Sequence, residues 1–291
     1  MVNPAIVIAA LLTLTPYLAA ALFPRKLQGA ADALPVRVRL LASIVLCVPY
    51  LLVASSTGTF RWGWFALYAL LPVAISTLMW QARNRDTARH GNWRDYLLLA
   101  ILGLAIDLRW FEPAWPPHLA VFNKMLLLDA GVYGLLVLRE LDGVGFDLRL
   151  RLPDVRIGLR EFIFYTPIAI AIGLSLGFLH LHLSWPRLLQ LAGAFVFTFF
   201  FIAVPEELFF RGWLQNLLER RVGRYPALLL TAALFGLSHF NKRAIHFNWR
   251  YVLLAALAGI FYGRAWRQER RIGASAITHS TVDTIWGFWL R

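Results

Sequence analysis

The stretch FFIAVPEELFFRGWLQNLLERR, residues 200–221, places three charged side chains among phenylalanines. Glu206, Glu207 and Arg211 lie in a segment whose other residues belong in hydrocarbon. A charged side chain at the centre of a membrane helix costs about 2.5–3.5 kcal/mol on insertion scales. The three charges therefore need partners or a polar cavity inside the protein, and either arrangement marks a candidate functional site.

The spacing of these residues predicts part of the pairing. Glu207 and Arg211 stand at positions i and i+4 with the acid first, which is the better orientation for an ion pair on a helix. Glu206 points about 100° away from Glu207 around the helix axis, so it needs a different partner. Pro205 predicts a break in the helix, or the start of a new one, just before both acids. A buried ion pair that only holds helices together is the alternative interpretation of Glu207 and Arg211.

The composition predicts an all-α, polytopic transmembrane helix bundle of about eight to ten spans. Of the 291 residues, 59% are hydrophobic and only 15% are charged, which is more apolar surface than a soluble domain of this length can bury. The net charge is +13. Because the positive residues lie between apolar runs, they indicate loops beside anionic lipid, and no nucleic-acid partner is expected. The single cysteine, Cys47, excludes an internal disulfide and a cysteine metal cluster.

The apolar runs and the loops between them predict the organisation of the chain. The candidate spans are 4–23, 40–55, 63–80, 96–111, 119–138, 162–180, 188–210, 225–240, 251–266 and 272–290. The polar stretch 139–161 separates N-terminal transmembrane helices of unassigned role, residues 1–159, from a region, residues 160–291, that contains every motif. Arginines concentrate in alternate loops, which places both termini outside the cytoplasm by the positive-inside rule.

A second motif, LFGLSHFN, carries Phe235 and His239 four positions apart. Arg220 ends the helix of the glutamates and Tyr225 opens the next one, which predicts an antiparallel hairpin. Glu206 lies 14 residues before Arg220, and His239 lies 14 residues after Tyr225. At ~1.5 Å per residue, both side chains lie about 21 Å from the same membrane face. The hairpin therefore allows this acid and this imidazole to meet in a cavity.

A third motif, ASAITHSTVDT, places His279 and Asp283 at i and i+4 in the last apolar run. Counted from Arg271, their depths are about 12 and 18 Å, which overlap only roughly with the depth of the hairpin pair. The three motifs together supply Glu206, Asp283 and two imidazoles, besides the pair of Glu207 with Arg211, and these residue types support two kinds of hydrolysis. In one, a glutamate takes a proton from water, one imidazole orients that water, and the other holds the oxyanion. In the other, the same side chains ligate zinc and leave a position for water.

The three motifs resemble those of the CAAX protease and bacteriocin-processing family of intramembrane proteases, also called CPBP or Abi. The family pattern is EExxxR, then FxxxH, then HxxxN or HxxxD. This chain reads Glu206-Glu207-Leu-Phe-Phe-Arg211, Phe235-Gly-Leu-Ser-His239 and His279-Ser-Thr-Val-Asp283. The resemblance covers residues 160–291 and extends to none of residues 1–159.

The resemblance implies an intramembrane endopeptidase that cuts the C-terminal tail or a membrane segment of a membrane-associated protein. Glu206 and His239 would activate water, and His279 with Asp283 would form the oxyanion site. The site-organising residues would be Glu207, Arg211 and Phe235. A glutamate-type protease requires no cofactor. Asp283 stands where eukaryotic members are expected to have Asn, which keeps zinc, held by the same four catalytic residues, as the metalloprotease alternative.

Two further interpretations compete with the enzyme. One is a non-catalytic membrane scaffold or bacteriocin-immunity protein of the same fold. The other is an ion-coupled transporter, because four charged residues also lie in the apolar runs of the first half: Asp107, Arg109, Lys124 and Asp129. The glutamate, histidine and aspartate residues that could catalyse hydrolysis cluster in the C-terminal half of the chain. This clustering favours the enzyme over the transporter. All these interpretations predict an integral membrane protein with the lipid bilayer as a partner, and the resemblance favours the cytoplasmic membrane of a prokaryote.

Overall fold

The computed structural model describes residues 3–183, 185–242 and 246–290, and every regular element in these ranges is helical. The predicted all-α class is confirmed. The chain divides into two compact units, Met1–Asp142 and Gly143–Arg291. The division of roles at residues 159 and 160 stays a prediction.

The first unit is a bundle of helices packed side by side. Its helices are α1 (Pro4–Leu22), α2 (Pro24–Asp32), α3 (Val36–Thr57), α4 (Trp62–Asn84), α5 (Trp93–Asp107) and α6 (Pro117–Leu138). Both α1 and α4 pack against α3 and α6. Of the charges that support a transporter, Asp129 is buried in α6, whereas Asp107 ends α5 and Lys124 is exposed.

The second unit contains all three motifs. Its helices are α7 (Leu152–Ser175), α8 (Leu188–Val222), α9 (Arg224–Leu237), α10 (Trp249–Glu269) and α11 (Ile272–Trp289). Helices α8 and α9 form the predicted hairpin, with the turn at Gly223, whose φ of 81° suits glycine. Helix α11 packs against α7, α10 and the middle of α8. This packing brings the third motif next to the first.

Six of the described helices are long and apolar enough to cross a membrane: α1, α3, α4, α6, α7 and α8. The sequence predicts about eight to ten spans, and the difference has physical reasons. Helix α9 has 14 residues and α5 has 15, which are short for a span. Helices α10 and α11 have 21 and 18 residues but carry polar and charged side chains. Neighbouring helices cover the polar residues of α11, so these residues contact protein rather than lipid.

The start of α11 is fixed by ion pairs with the first turn of α7 and with the segment that precedes it. Arg271 Nε donates to both carboxylate oxygens of Asp154 at 2.9 and 3.1 Å, and Arg271 Nη1 donates to Asp147 at 3.1 Å. Hydrogen bonds from Arg149, and then from Arg271, hold the pKa of Asp147 well below its ordinary value. These pairs set the position of α11, and hence the depth of the third motif.

We expect Gly145→Ala to destabilise the second unit. Gly145 has φ +73°, and an added Cβ would lie 1.7 Å from the carbonyl oxygen of Arg270. Its own carbonyl accepts from the amide of Ile272 at 2.9 Å, so the backbone cannot move without disturbing the start of α11. The backbone conformation alone costs ~1–3 kcal/mol for a residue with a Cβ. Thermal unfolding in detergent measures the loss. Gly63→Ala is the control, since its Cβ meets nothing within 4 Å, and equal midpoints for the two variants would contradict the expectation.

Candidate active site

The backbone hydrogen-bond pattern of helix α8 changes on both sides of Glu206 and Glu207. The α-helical segment Val204–Glu207 lies between two π-helical segments, Phe199–Ala203 and Leu208–Gln215. A π turn adds one residue to a helical turn and occurs frequently at functional sites. A new α-helical segment begins at Val204 with Pro205 in its first turn, so the expected change at the proline occurs in the hydrogen-bond pattern. The helix as a whole runs without interruption from residue 188 to residue 222. The two π turns take up the irregularity that the proline imposes.

Glu207 and Arg211 form the ion pair that their spacing predicts. Arg211 Nε donates to Glu207 Oε2 at 3.0 Å, and both side chains are completely buried. The guanidinium lies over the ring of Phe235, with 5.1 Å from Cζ to the ring centroid. This aromatic contact and the ion pair together stabilise a buried positive charge.

The second carboxylate oxygen of Glu207 reaches across to α11. His279 Nδ1 lies 2.9 Å from Glu207 Oε1, and the imidazole is buried. The ring of Tyr262 stacks on the imidazole at 4.6 Å between centroids. Glu207 therefore connects Arg211 to His279 and fixes the orientation of the imidazole. The i, i+4 spacing gave no indication of this contact, because it joins residues on different helices.

The other nitrogen of His279 faces the two remaining acids. His279 Nε2 lies 3.5 Å from Asp283 Oδ2 and 3.9 Å from Glu206 Oε2. The side chains of Glu206 and Asp283 are each 29% exposed, whereas Glu207 is fully buried. The predicted depths of the first and third motifs overlap only roughly, yet the structure brings them into contact.

His239 lies in the turn that follows α9, and its tautomer is fixed by the backbone. Its Nδ1 lies 2.8 Å from the carbonyl oxygen of Phe235, which can only accept, so Nδ1 carries a hydrogen. Nε2 is then the nitrogen that can accept a proton. The Phe235 ring lies 4.9 Å from the ring of His239 and 5.7 Å from that of His279, which it contacts edge to face. Phe235 thus separates and supports the two imidazoles.

Glu206 also contacts the loop that begins at His239. Lys242 Nζ lies 3.8 Å from Glu206 Oε1, and the amide of Lys242 donates to the carbonyl oxygen of His239 at 3.2 Å. The hairpin thus places Glu206 beside the turn that carries His239, and the meeting of the acid with the imidazole itself stays a prediction. Lys242 itself was not predicted as a site residue.

An open cleft adjoins the two imidazoles. His239, His279 and Asp283 line it, whereas Glu206 and Glu207 do not. The rest of its lining is mostly apolar and aromatic, from α7, α10 and α11, and includes Phe162, Ile170, Phe178, Tyr251, Tyr262 and Trp286. The cleft suits an apolar peptide segment. These aromatic residues were not predicted, because aromatic residues are common throughout the sequence and no spacing distinguishes them.

The donor set was tested against a metal. Within residues 3–183, 185–242 and 246–290, no three His, Cys, Asp or Glu side chains are placed to hold one metal ion. As arranged in this part of the chain, these side chains do not form a zinc site.

Comparison with known proteins identifies this region. Residues 188–285 match the model of a protein family described as Rce1-like, type II CAAX prenyl endopeptidase. The matched segment contains all three motifs. Searches of the curated proteins and of the solved structures found no match. The segment from residue 188 to residue 285 is therefore similar to the Rce1-like family of CAAX prenyl endopeptidases, in agreement with the resemblance of the three motifs.

Proposed function

We propose that the protein is an intramembrane endopeptidase that hydrolyses a peptide bond in the C-terminal tail or a membrane segment of a membrane-associated protein. One observation carries the proposal. Three carboxylates from two helices lie within 3.9 Å of the imidazole of His279, beside an apolar cleft that His239 also lines. The match to a family of proteases agrees with this chemistry.

Glu206 and His239 activate the attacking water. Glu206 is the partly exposed acid of the motif, so water can reach it, and its carboxylate accepts the proton. His239 presents Nε2 as an acceptor because Nδ1 donates to the backbone. The hydroxide attacks the scissile carbonyl, and the proton then passes to the leaving nitrogen. The products are a carboxylate and an amine.

His279 and Asp283 stabilise the oxyanion of the tetrahedral intermediate. When the imidazole of His279 is protonated, Nδ1 donates to Glu207 and Nε2 is a second donor that faces the cleft. Asp283 lies 3.5 Å from the same nitrogen and completes the site. Arg211 and Phe235 keep Glu207 and the imidazoles in place. The favoured mechanism uses no cofactor.

The setting of this activity is the lipid bilayer. The six apolar helices and the family match support an integral membrane protein whose substrate is a membrane-associated protein or peptide. We place it in the cytoplasmic membrane of a prokaryote with both termini outside the cytoplasm. A catalytically silent scaffold or immunity protein of the same fold would bind a partner and leave it intact, and an ion-coupled transporter would leave it intact as well.

We expect His239→Ala to lower the rate of peptide hydrolysis by ~10²-fold or more, the usual contribution of a positioned acid–base group. The purified protein is reconstituted in lipid vesicles, and cleavage of membrane-anchored peptides is followed by mass spectrometry. His118→Ala is the matched control, because His118 is exposed and lies in the first unit. Thermal unfolding of each variant confirms that it is folded.

The same assay distinguishes the competing interpretations. Unchanged cleavage by folded His239→Ala would contradict the proposed site. A rate that falls with a chelator and returns with zinc would establish the metalloprotease alternative. If the wild-type protein binds the peptide and never cuts it, the scaffold replaces the enzyme.

A further inference from the structure

An arginine cluster lies where the turn between α8 and α9 meets the end of α10. Its members are Arg220, Arg224, Arg267 and Arg270. Arg270 Nη1 and Arg220 Nη2 both donate to Asn216 Oδ1, at 3.2 and 3.3 Å. The guanidinium of Arg267 lies over the ring of Tyr225, with 5.3 Å from Cζ to the ring centroid. The cluster thus connects three helices, and none of its members lines the cleft beside the imidazoles.

Glu219 pairs with this cluster, and several donors share its carboxylate. Arg270 Nη2 donates to Glu219 Oε2 at 2.5 Å, and Gln215 Nε2 donates to Glu219 Oε1 at 3.2 Å. Arg267 Nε lies 3.4 Å from the same Oε1. This buried nitrogen has no hydrogen-bond acceptor among the residues that the structure describes. One carboxylate therefore does not satisfy the guanidinium groups around it.

Arg267 is the member of the cluster that most needs a second anion. Its side chain is only 7% exposed, so water compensates little of its charge. Burial, and then the charge of Arg224, lower the pKa of Arg267, although Glu219 acts in the opposite direction. Positive charge is thus in excess around a buried group. A ligand with negative charge and several acceptor oxygens would compensate this excess.

A phosphate group has the chemistry that the arginine cluster requires. The planar fork of a guanidinium matches two oxygens of a phosphate, which can accept from more than one arginine. Helix α9 begins beside the cluster, and Gly223 gives its first amides no side-chain cap. The N-terminus of a helix attracts phosphate through these amides and through the helix dipole. The end of α9 and the buried guanidinium therefore favour the same ligand.

The place of the cluster in the fold indicates the source of the phosphate. Arg220 follows Glu206 by 14 residues along α8, which is about 21 Å of helix. The cluster belongs to the alternate loops in which arginines concentrate, and the positive-inside rule places these loops at the cytoplasmic face of the membrane. The phosphates that abound at this level are those of lipid headgroups, and anionic headgroups attract arginines there.

We propose that Arg224, Arg267 and Arg270 bind the phosphate of an anionic phospholipid headgroup. The inference is independent of the proposed peptidase chemistry, because none of these residues takes part in it. The bound phosphate joins the turn that ends α8 to the end of α10, which also carries Tyr262, the ring that stacks on the imidazole of His279. The lipid then supports two of the helices that hold the catalytic side chains.

Retention of lipid by the purified protein tests this inference without any peptide substrate. The full chain in mild detergent is mixed with equal amounts of phosphatidylglycerol and phosphatidylcholine, and bound lipids are counted by native mass spectrometry. These two lipids share the phosphate and differ in net charge. We expect the wild-type protein to retain phosphatidylglycerol in preference to phosphatidylcholine. Arg224→Gln should weaken the binding of phosphatidylglycerol by roughly tenfold, the order of one charge-assisted contact.

Two further variants separate a built site from general surface charge. Arg267→Lys keeps the positive charge but loses the fork, so we expect it to weaken the binding of phosphatidylglycerol as well. Arg156→Gln is the matched control, because Arg156 is an exposed arginine in the first turns of α7 and belongs to a loop on the same predicted membrane face. It should leave the binding unchanged. Arg224 is also exposed, so its variant should fold even if Arg267→Lys does not.

Inorganic phosphate distinguishes a lipid site from a site for a soluble phosphate. When it is added at the concentration of phosphatidylglycerol, it should leave the bound lipid in place. Displacement of the lipid would assign the site to soluble phosphate and overturn the inference. Equal retention of the two lipids by the wild-type protein would overturn it too, as would equal losses in Arg224→Gln and Arg156→Gln. Failure of the proposed function would appear elsewhere, as hydrolysis that persists in His239→Ala.

Discussion

We expect Glu206→Gln to lower the rate of peptide hydrolysis by ~10²–10⁴-fold, the range for loss of a positioned general base. Glutamine keeps the size of the side chain and can accept a hydrogen bond, but it cannot take the proton of the attacking water. Glu206 is 29% exposed and its pair with Lys242 is loose, so the substitution should change stability little. A large loss of rate with an unchanged thermal midpoint would therefore report chemistry rather than unfolding.

The matched control for this experiment is Glu269→Gln. Glu269 ends α10 and is exposed, so its loss removes the same charge far from the imidazoles. Both variants are compared in the vesicle assay at saturating peptide. If Glu206→Gln retained more than about a tenth of the wild-type rate, the base would be another group. Asp283, 3.5 Å from His279 Nε2, would be the next to replace.

The largest expected loss of stability comes from Glu207→Ala. The variant leaves the fully buried guanidinium of Arg211 without its counter-charge. Arg211 Nη1 and Nη2 have no hydrogen-bond partner among the described residues, so no second acceptor is in place to compensate. Breaking a buried ion pair by removing one partner costs ~3–5 kcal/mol. Unfolding by denaturant in mild detergent measures this free energy.

The double variant Glu207→Ala with Arg211→Met separates charge from packing. Methionine fills much of the space of the arginine and carries no charge, so the double variant should be more stable than the single one. It should remain inactive, because His279 has lost the acceptor that orients its ring. A single variant that lost only about 1 kcal/mol, as an exposed pair would, would contradict the buried ion pair.

The sequence was most informative where chemistry and spacing coincide. The i, i+4 rule gives the pairs Glu207–Arg211 and His279–Asp283, and both are in contact. Counting residues from the hairpin turn puts Glu206 near the turn that carries His239. These predictions succeed because neighbours on a helix, and equal depths on adjacent helices, follow directly from helical geometry.

Other contacts depend on how whole helices are placed. The approach of His279 to Glu207 is set by the ion pairs of Arg271 at the start of α11. The partners of Arg271, Asp154 and Asp147, lie far from it in the sequence. The π turns beside Glu206 could not be predicted, because a proline in a helix permits a kink, a break or a wider turn. Lys242 looked like an ordinary loop cation, since nothing in its sequence neighbourhood points to a carboxylate 36 residues earlier.

Because α8 is long, the position of the site depends on the thickness of the membrane. Its 35 residues at ~1.5 Å each span about 52 Å, against ~30 Å of hydrocarbon. A helix longer than the hydrocarbon layer tilts or extends into the headgroups. The charged residues near the end of α8, Glu219, Arg220 and Arg221, suit extension into the headgroups. Thicker and thinner bilayers would hold the helix at different tilts and so move Glu206 relative to the surface from which water arrives. The lipid composition of the host membrane then acts on the rate without contacting a catalytic residue.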